Sequence, residues 1–225
     1  MKRLLIVTTV ALCAGTISLA ADAAKPPKQQ NRSLTIAAKP ASIAYSGSGT
    51  ISGQRKGPNH GGQTVVLQRN PYPFKGFKDA AVTKTASNGS YRFTIRPKRH
   101  TRYRTVTPRA ATIYDSVIRS TELLVHVRLR VGIRLSDATP RRGTRVRFSG
   151  SVAPKHNGRK VFVQRRRRDG RWRTVARAIT SNATGNRSRY VRRVTIFRSG
   201  LYRVRVRGDA DHSTGTSRRR AIAVH

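Results

Sequence analysis

The chain has 225 residues, 36% of them apolar, and sets 48 Lys and Arg against 8 Asp and Glu for a formal net charge of +40. That length accommodates two small domains once an N-terminal segment is set aside. The single cysteine, Cys13, excludes an intrachain disulfide and a cysteine metal cluster, while the charge points to anionic partners.

At the N-terminus, Lys2 and Arg3 precede an apolar stretch from Leu4 to Ala20, followed by the small residues Ala21 and Ala23. This is the pattern of a secretory signal peptide. Cleavage after Ala20 and after Ala23 both satisfy the small-residue requirement; the second gives a signal peptide of residues 1–23. The apolar run falls short of the roughly 20 residues of a membrane-spanning helix. Cys13 leaves with the signal, and an exported chain without disulfides suits a bacterial envelope. Residues 24–33, with Lys25-Pro26-Pro27-Lys28, read as a polar, basic linker.

From Leu34 onward short runs alternate apolar and polar residues: Leu34/Ile36, Val65/Leu67, Tyr91/Phe93/Ile95, Tyr103 and Val125/Val127. Gly, Pro, Asn and Ser separate them, and no apolar stripe has helical spacing, so the fold class is all-β. From Leu123 to Leu135 every second residue is aliphatic. At about 3.3 Å per residue the run extends about 43 Å, too long for one strand, so it serves two sheets in succession. The expected division is a first β-sandwich at 34–127 and a second at 128–225.

The second stretch repeats the scheme with Val146/Phe148, Val161/Val163, Tyr190, Val194/Ile196, Tyr202/Val204/Val206 and Ile222/Val224. Asp169-Gly170 between two strand-like runs predicts a type I′ hairpin turn, and Asn88-Gly89 marks another turn. Four landmarks pair the stretches. Ser48-Gly49-Thr50-Ile51 matches Ser149-Gly150-Ser151-Val152, Gly62 through Arg69 matches Gly158 through Arg165, Tyr103 matches Tyr202, and Val125 matches Ile222, at offsets of 101, 96, 99 and 97. A nearly constant offset is the signature of an internal repeat.

Gly158-Arg159-Lys160-Val161-Phe162-Val163-Gln164-Arg165-Arg166, then Asp169-Gly170-Arg171-Trp172, then Tyr202-Arg203-Val204 resembles the tandem bacterial immunoglobulin-like modules of secreted actinobacterial proteins. The resemblance implies two seven-strand sandwiches, a surface role and no catalytic residues. Gly200-Leu201-Tyr202-Arg203-Val204 is similar to the tyrosine corner of such domains; His100-Thr101-Arg102-Tyr103-Arg104 departs from it.

Residues 126–225 carry 28 Lys and Arg against 4 acidic residues (+24), and residues 34–125 carry 15 against 3 (+12). The candidate binding site is therefore in the second stretch: Arg165, Arg166, Arg167, Arg168, Arg171, Trp172 and Arg173. On a hairpin, Arg165, Arg167, Arg171 and Arg173 share a face whose guanidinium forks match phosphate, with Trp172 as a stacking plane. An arginine-rich edge that guards the sheet against aggregation explains the same residues. The aromatic segment Asn70-Pro71-Tyr72-Pro73-Phe74-Lys75-Gly76-Phe77 reads as a packed loop.

No Ser/His/Asp arrangement or nucleophile elbow appears. Asp209-Ala210-Asp211-His212 sets two carboxylates and an imidazole within four residues, a set that could hold a divalent metal, but it lies between the strand-like runs Tyr202/Val204/Val206 and Ile222/Val224 and reads as a polar loop; His60, His100, His126, His156 and His225 are dispersed, and no metal or cofactor is expected. The sequence points to a non-catalytic exported surface or envelope protein with an anionic polymer as partner: cell-wall polymer, nucleic acid or acidic polysaccharide. A structural spacer without a specific ligand is the alternative.

Overall fold

A computed structural model describes residues 32–108 and 117–225; the expected signal segment, Cys13 and most of the expected linker lie outside them. The described residues contain strands and no helix. In the N-terminal half these are β1 (Ser33–Leu34), β2 (Ala37–Lys39), β3 (Ser42–Ala44), β4 (Gly49–Lys56), β5 (Thr64–Pro71), β6 (Lys78–Lys84), β7 (Ser90–Ile95), β8 (Thr101–Val106) and β9 (Leu123–Arg128). The C-terminal half contains β10 (Arg130–Val131), β11 (Arg134–Leu135), β12 (Arg145–Ala153), β13 (Lys160–Arg166), β14 (Trp172–Ile179), β15 (Ser181–Asn182), β16 (Ser188–Thr195), β17 (Gly200–Val206), β18 (Gly215–Thr216) and β19 (Arg220–Ile222).

These strands form four sheets. In the N-terminal half β4 is flanked by β7 on one side and by β1 and β2 on the other, and the second sheet runs β3-β9-β8-β5-β6. In the C-terminal half one sheet runs β10-β12-β16-β15 with β11 also on β12, and the other β14-β13-β17-β18 with β19 also on β17. Strict alternation drives this: β7 buries Tyr91, Phe93 and Ile95 and exposes the residues between, as expected for strands with one wetted face. Each half has its own apolar cluster drawn from both of its sheets. One contains Ile51, Leu67, Phe93, Tyr103 and Val125; the other contains Phe148, Val163, Tyr190, Val204 and Ile222.

The aliphatic run from Leu123 to Leu135 changes sheets as its length requires. β9 pairs with β8 and, in parallel, with β3, whereas β10 pairs with β12. Between them Leu129 joins the C-terminal cluster. The chain there is clasped by a loop from the far end: Ser213 N donates to Val127 O (2.8 Å) and Leu129 N donates to Ser213 O (3.0 Å). Asn31–His225 form one compact unit.

Specific hydrogen bonds recur in both halves. Arg104 Nε donates to Gln68 Oε1 at 2.8 Å, and Arg203 Nε to Gln164 Oε1 at 2.9 Å. A bulge precedes each glutamine, between Leu67 and Gln68 and between Val163 and Gln164. Thr105 N donates to Ser120 Oγ and Val204 N to Ser217 Oγ, both at 2.9 Å. The hydroxyls of Tyr91 and Tyr190 donate to the carbonyls of Thr35 and Gly132. Beside each hydroxyl lies a glycine where a Cβ would meet that same carbonyl, at 2.0 Å for Gly53 and 2.3 Å for Gly150. Gly53, not Gly49, is thus the counterpart of Gly150, and this landmark's offset becomes 97, in line with the others.

Phe148 is fully buried, so Phe148→Ala is expected to cost about 3–5 kcal/mol through lost burial and a cavity. Val191→Ala, at a site 55% exposed, should change stability by less than about 0.5 kcal/mol. Urea unfolding of both variants checks the contrast.

Candidate functional site

The arginine hairpin is built by β13 and β14. Register pairs Arg165 with Arg173 and Arg166 with Trp172, and Arg167 N donates to Arg171 O at 2.8 Å. Gly170 N donates to Arg167 O (3.1 Å), Gly170 takes φ +78°, and Asp169 does not enter the positive-φ region. The turn is therefore a three-residue loop with a glycine bulge, not the two-residue type I′ turn that Asp-Gly predicts, because one left-handed residue is enough for the longer closure. Asp169 Oδ1 caps it by accepting from Arg171 N at 3.0 Å.

This register places Arg165, Arg167, Arg171 and Arg173 on one face, since side chains alternate along each strand. A groove of about 1200 Å³ opens beside the hairpin, lined among others by Arg165, Arg166, Arg167, Arg168, Phe197 and Arg198. Its far wall is fixed by Tyr202, whose hydroxyl donates to Arg198 O at 3.0 Å, the hydrogen bond of a tyrosine corner. Burial raises the Tyr202 hydroxyl pKa, opposed by the nearby charge of Arg165. Phe197 is 59% exposed at the rim. Arg171, Trp172 and Arg173 do not line the groove.

Trp172 lies on the opposite face of the sheet, half-buried, with the Arg203 guanidinium 4.0 Å from its ring centroid and Arg219 at 5.9 Å. Burial lowers the Arg203 pKa, and the charges of Arg205 and Arg219 push the same way. The stacking plane expected for a ligand is thus already covered by a cation. The same arrangement sits in the other half, where Arg104 lies 4.0 Å over Phe77 and Arg102 4.6 Å over Phe74. The aromatic segment after β5 is accordingly packed down on β8 arginines.

Strand register sets Arg165 directly against Arg173 and Arg147 against Arg193. Like charges at such positions are destabilising by a few tenths to about 1 kcal/mol, which a bound anion would relieve. Arg145, Arg147, Arg189 and Arg193 give the outer face of the β12–β16 pair a second basic surface. The sequence reading missed Phe197 and Arg198, because only the folded return of β17 brings them to the hairpin.

The histidines are not all dispersed and solvated as the sequence led us to expect. Ring centroids lie 5.1 Å apart for His100 and His126, and 5.0 Å for His156 and His212. Packing within each half forms these pairs, and His100 and His212, with centroids 6.4 Å apart, link them across the junction. His100 Nδ1 accepts from Val127 N at 3.0 Å, and burial, followed by the charges of His126 and His212, lowers its pKa.

No protein-family model matches the chain, and no curated protein matches it.

Trp172 is the only tryptophan, so its emission reports on the cation above it. Arg203→Met is expected to change the fluorescence intensity and maximum, while Arg171→Ser leaves both unchanged. Superimposable spectra for Arg203→Met and the unmodified protein would rule out the stack.

Proposed function

We propose that this is a non-catalytic exported protein of two tandem immunoglobulin-like modules, 34–127 and 128–225, that holds anionic polymer at a bacterial envelope. The observation that carries the reading is the groove beside the hairpin, where Arg165 to Arg168 and Arg198 converge against a wall pinned by Tyr202. Guanidinium groups suit phosphate and carboxylate because their fork matches two oxygens at once. The bulk field of +24 over residues 126–225 adds steering and counterion release. Cell-wall polymer, nucleic acid and acidic polysaccharide all offer the repeated anions such a surface takes.

The modular reading is supported by strand order. In the C-terminal half the sheets β11-β12-β16-β15 and β14-β13-β17-β19 correspond to the A-B-E-D and C′-C-F-G sheets of immunoglobulin-like sandwiches, and in the N-terminal half β3 runs parallel to β9 as a split first strand does. The repeated glutamine–arginine pair and buried tyrosine favour descent from one duplicated unit. Export rests on Lys2 and Arg3 ahead of the apolar segment.

A second reading, a spacer whose charge guards its edges, is favoured by β14 lying at the border of its sheet. Salt titration separates the two. For binding to heparin or a DNA oligonucleotide, the quadruple variant Arg165→Ser, Arg166→Ser, Arg167→Ser, Arg168→Ser should reduce the slope of log K against log salt by about 3, at roughly 0.7–0.9 per anion contact. The matched variant with Ser at Arg145, Arg147, Arg189 and Arg193 should lose less. Equal losses from both would favour the spacer, and retention independent of salt would remove the polyanion reading altogether.

A further inference from the structure

Two loops of the C-terminal half meet beside the junction with the N-terminal half: the one between β12 and β13, carrying His156, and the one after β17, carrying Asp209, Asp211 and His212. One ligand atom from each of the four residues falls within a set whose members all lie within 4.8 Å of one another. His156 Nε2 is 2.9 Å from Asp209 Oδ2 and 3.8 Å from Asp211 Oδ1, and His212 Nδ1 is 2.9 Å from Asp211 Oδ1. Asp209 and Asp211 are two of only eight acidic residues in the chain.

The second nitrogen of each ring fixes its tautomer. His156 Nδ1 sits 3.0 Å from Pro154 O, and His212 Nε2 sits 2.8 Å from Lys98 O. A carbonyl only accepts, so these nitrogens carry the protons. In the neutral rings the lone pairs of His156 Nε2 and His212 Nδ1 then face carboxylate oxygens. Four acceptors converge, and Arg159, donating to Asp209 Oδ2, answers one of them. The histidine side chains are only 9% and 3% exposed, so water has little access to separate them. A single divalent ion satisfies all four acceptors at once. An imidazole that donates its far nitrogen to a backbone carbonyl is also how metal-bound histidines are held.

We propose that His156, Asp209, Asp211 and His212 form a binding site for a divalent transition-metal ion, of which Zn²⁺ is the best match. A tetrahedral site with two nitrogen and two oxygen ligands at about 2.0–2.2 Å places ligand atoms about 3.3–3.6 Å apart; here three of the pairs are 2.9, 2.9 and 3.8 Å apart and all four atoms lie within 4.8 Å of one another, so small rotations of the side chains complete the set. Imidazole ligands favour Zn²⁺ over Mg²⁺ or Ca²⁺. Arg159, bonded to Asp209 Oδ2, and His212 N, donating to Asp209 Oδ1 at 3.1 Å, orient that carboxylate.

The ion has a structural consequence, because the ligand loop is also the clasp between the halves. His100 N donates to Asp211 O at 2.9 Å, His212 reaches Lys98 O, and Ser213 exchanges backbone bonds with Val127 and Leu129. Binding energy spent in ordering residues 209–213 therefore stabilises the junction. His60 provides an internal control. Its carbonyl accepts from Thr85 Oγ1 at 2.6 Å, as that of His156 accepts from Thr180, yet it belongs to no such cluster among the described residues.

The test uses the full chain stripped with chelator and dialysed against Zn²⁺, with bound metal measured by plasma mass spectrometry and stability by thermal unfolding. One equivalent of zinc and a raised Tm are expected. His156→Gln and Asp211→Asn should each weaken binding by at least about a hundredfold, and His60→Gln should keep the full equivalent. Cobalt loading of the unmutated chain reads the site without risk of misfolding, and an intense visible d–d spectrum of tetrahedral type is expected. No stoichiometric uptake by the stripped protein, a full equivalent retained by Asp211→Asn, or a weak octahedral cobalt spectrum would each overturn the proposal.

Discussion

The fold depends on apolar side chains of alternating strands outweighing the mutual repulsion of a densely basic surface. Disulfides contribute nothing to the described residues, which contain no cysteine and few carboxylates. Period-two alternation does both jobs together, because Val146 and Phe148 enter the core while Arg145 and Arg147, on the same strand, point to water. Outward projection keeps guanidinium groups hydrated and screened, which limits the repulsion. Where register forces Arg147 against Arg193 and Arg165 against Arg173, the surface keeps like charges in direct opposition, at a cost of a few tenths to about 1 kcal/mol each.

The junction between the halves obeys the same constraint with different means. Val127 and Leu129 are buried on either side of Arg128, so the aliphatic pattern continues without a flexible linker. The backbone of Ser213 then bonds on both sides of Arg128. Tyr45 sets its ring edge against His212 at 6.0 Å and accepts from Asn186 Nδ2 at 2.9 Å. This is a small, polar and histidine-rich contact, in contrast to the dry cores it connects.

Much of this was legible in the sequence. The alternating residues named the strands, the length of the 123–135 run named the change of sheet, and Gly200-Leu201-Tyr202 named the corner that Tyr202 makes with Arg198. Turn closure was less so. Asp169-Gly170 is compatible with two loop lengths, and the choice is made by the pairing of Arg167 with Arg171. Alternation alone sets Trp172 on the face opposite Arg171 and Arg173; what spacing does not disclose is that Arg203, from the neighbouring strand β17, covers its ring there. The histidine–aspartate cluster was the least visible. His156 stands more than 50 residues before Asp209, so a local motif search sees a polar loop, and only sheet pairing delivers the missing ring.

The central claim, that anionic polymer completes an electrostatically unbalanced surface, is tested most directly by unfolding the protein in a short heparin oligosaccharide and in sodium chloride at equal ionic strength. Binding to the native arginine face predicts a higher Tm with the oligosaccharide, by an amount that rises with its concentration as mass action requires. Equal midpoints in the two solutions would contradict the account.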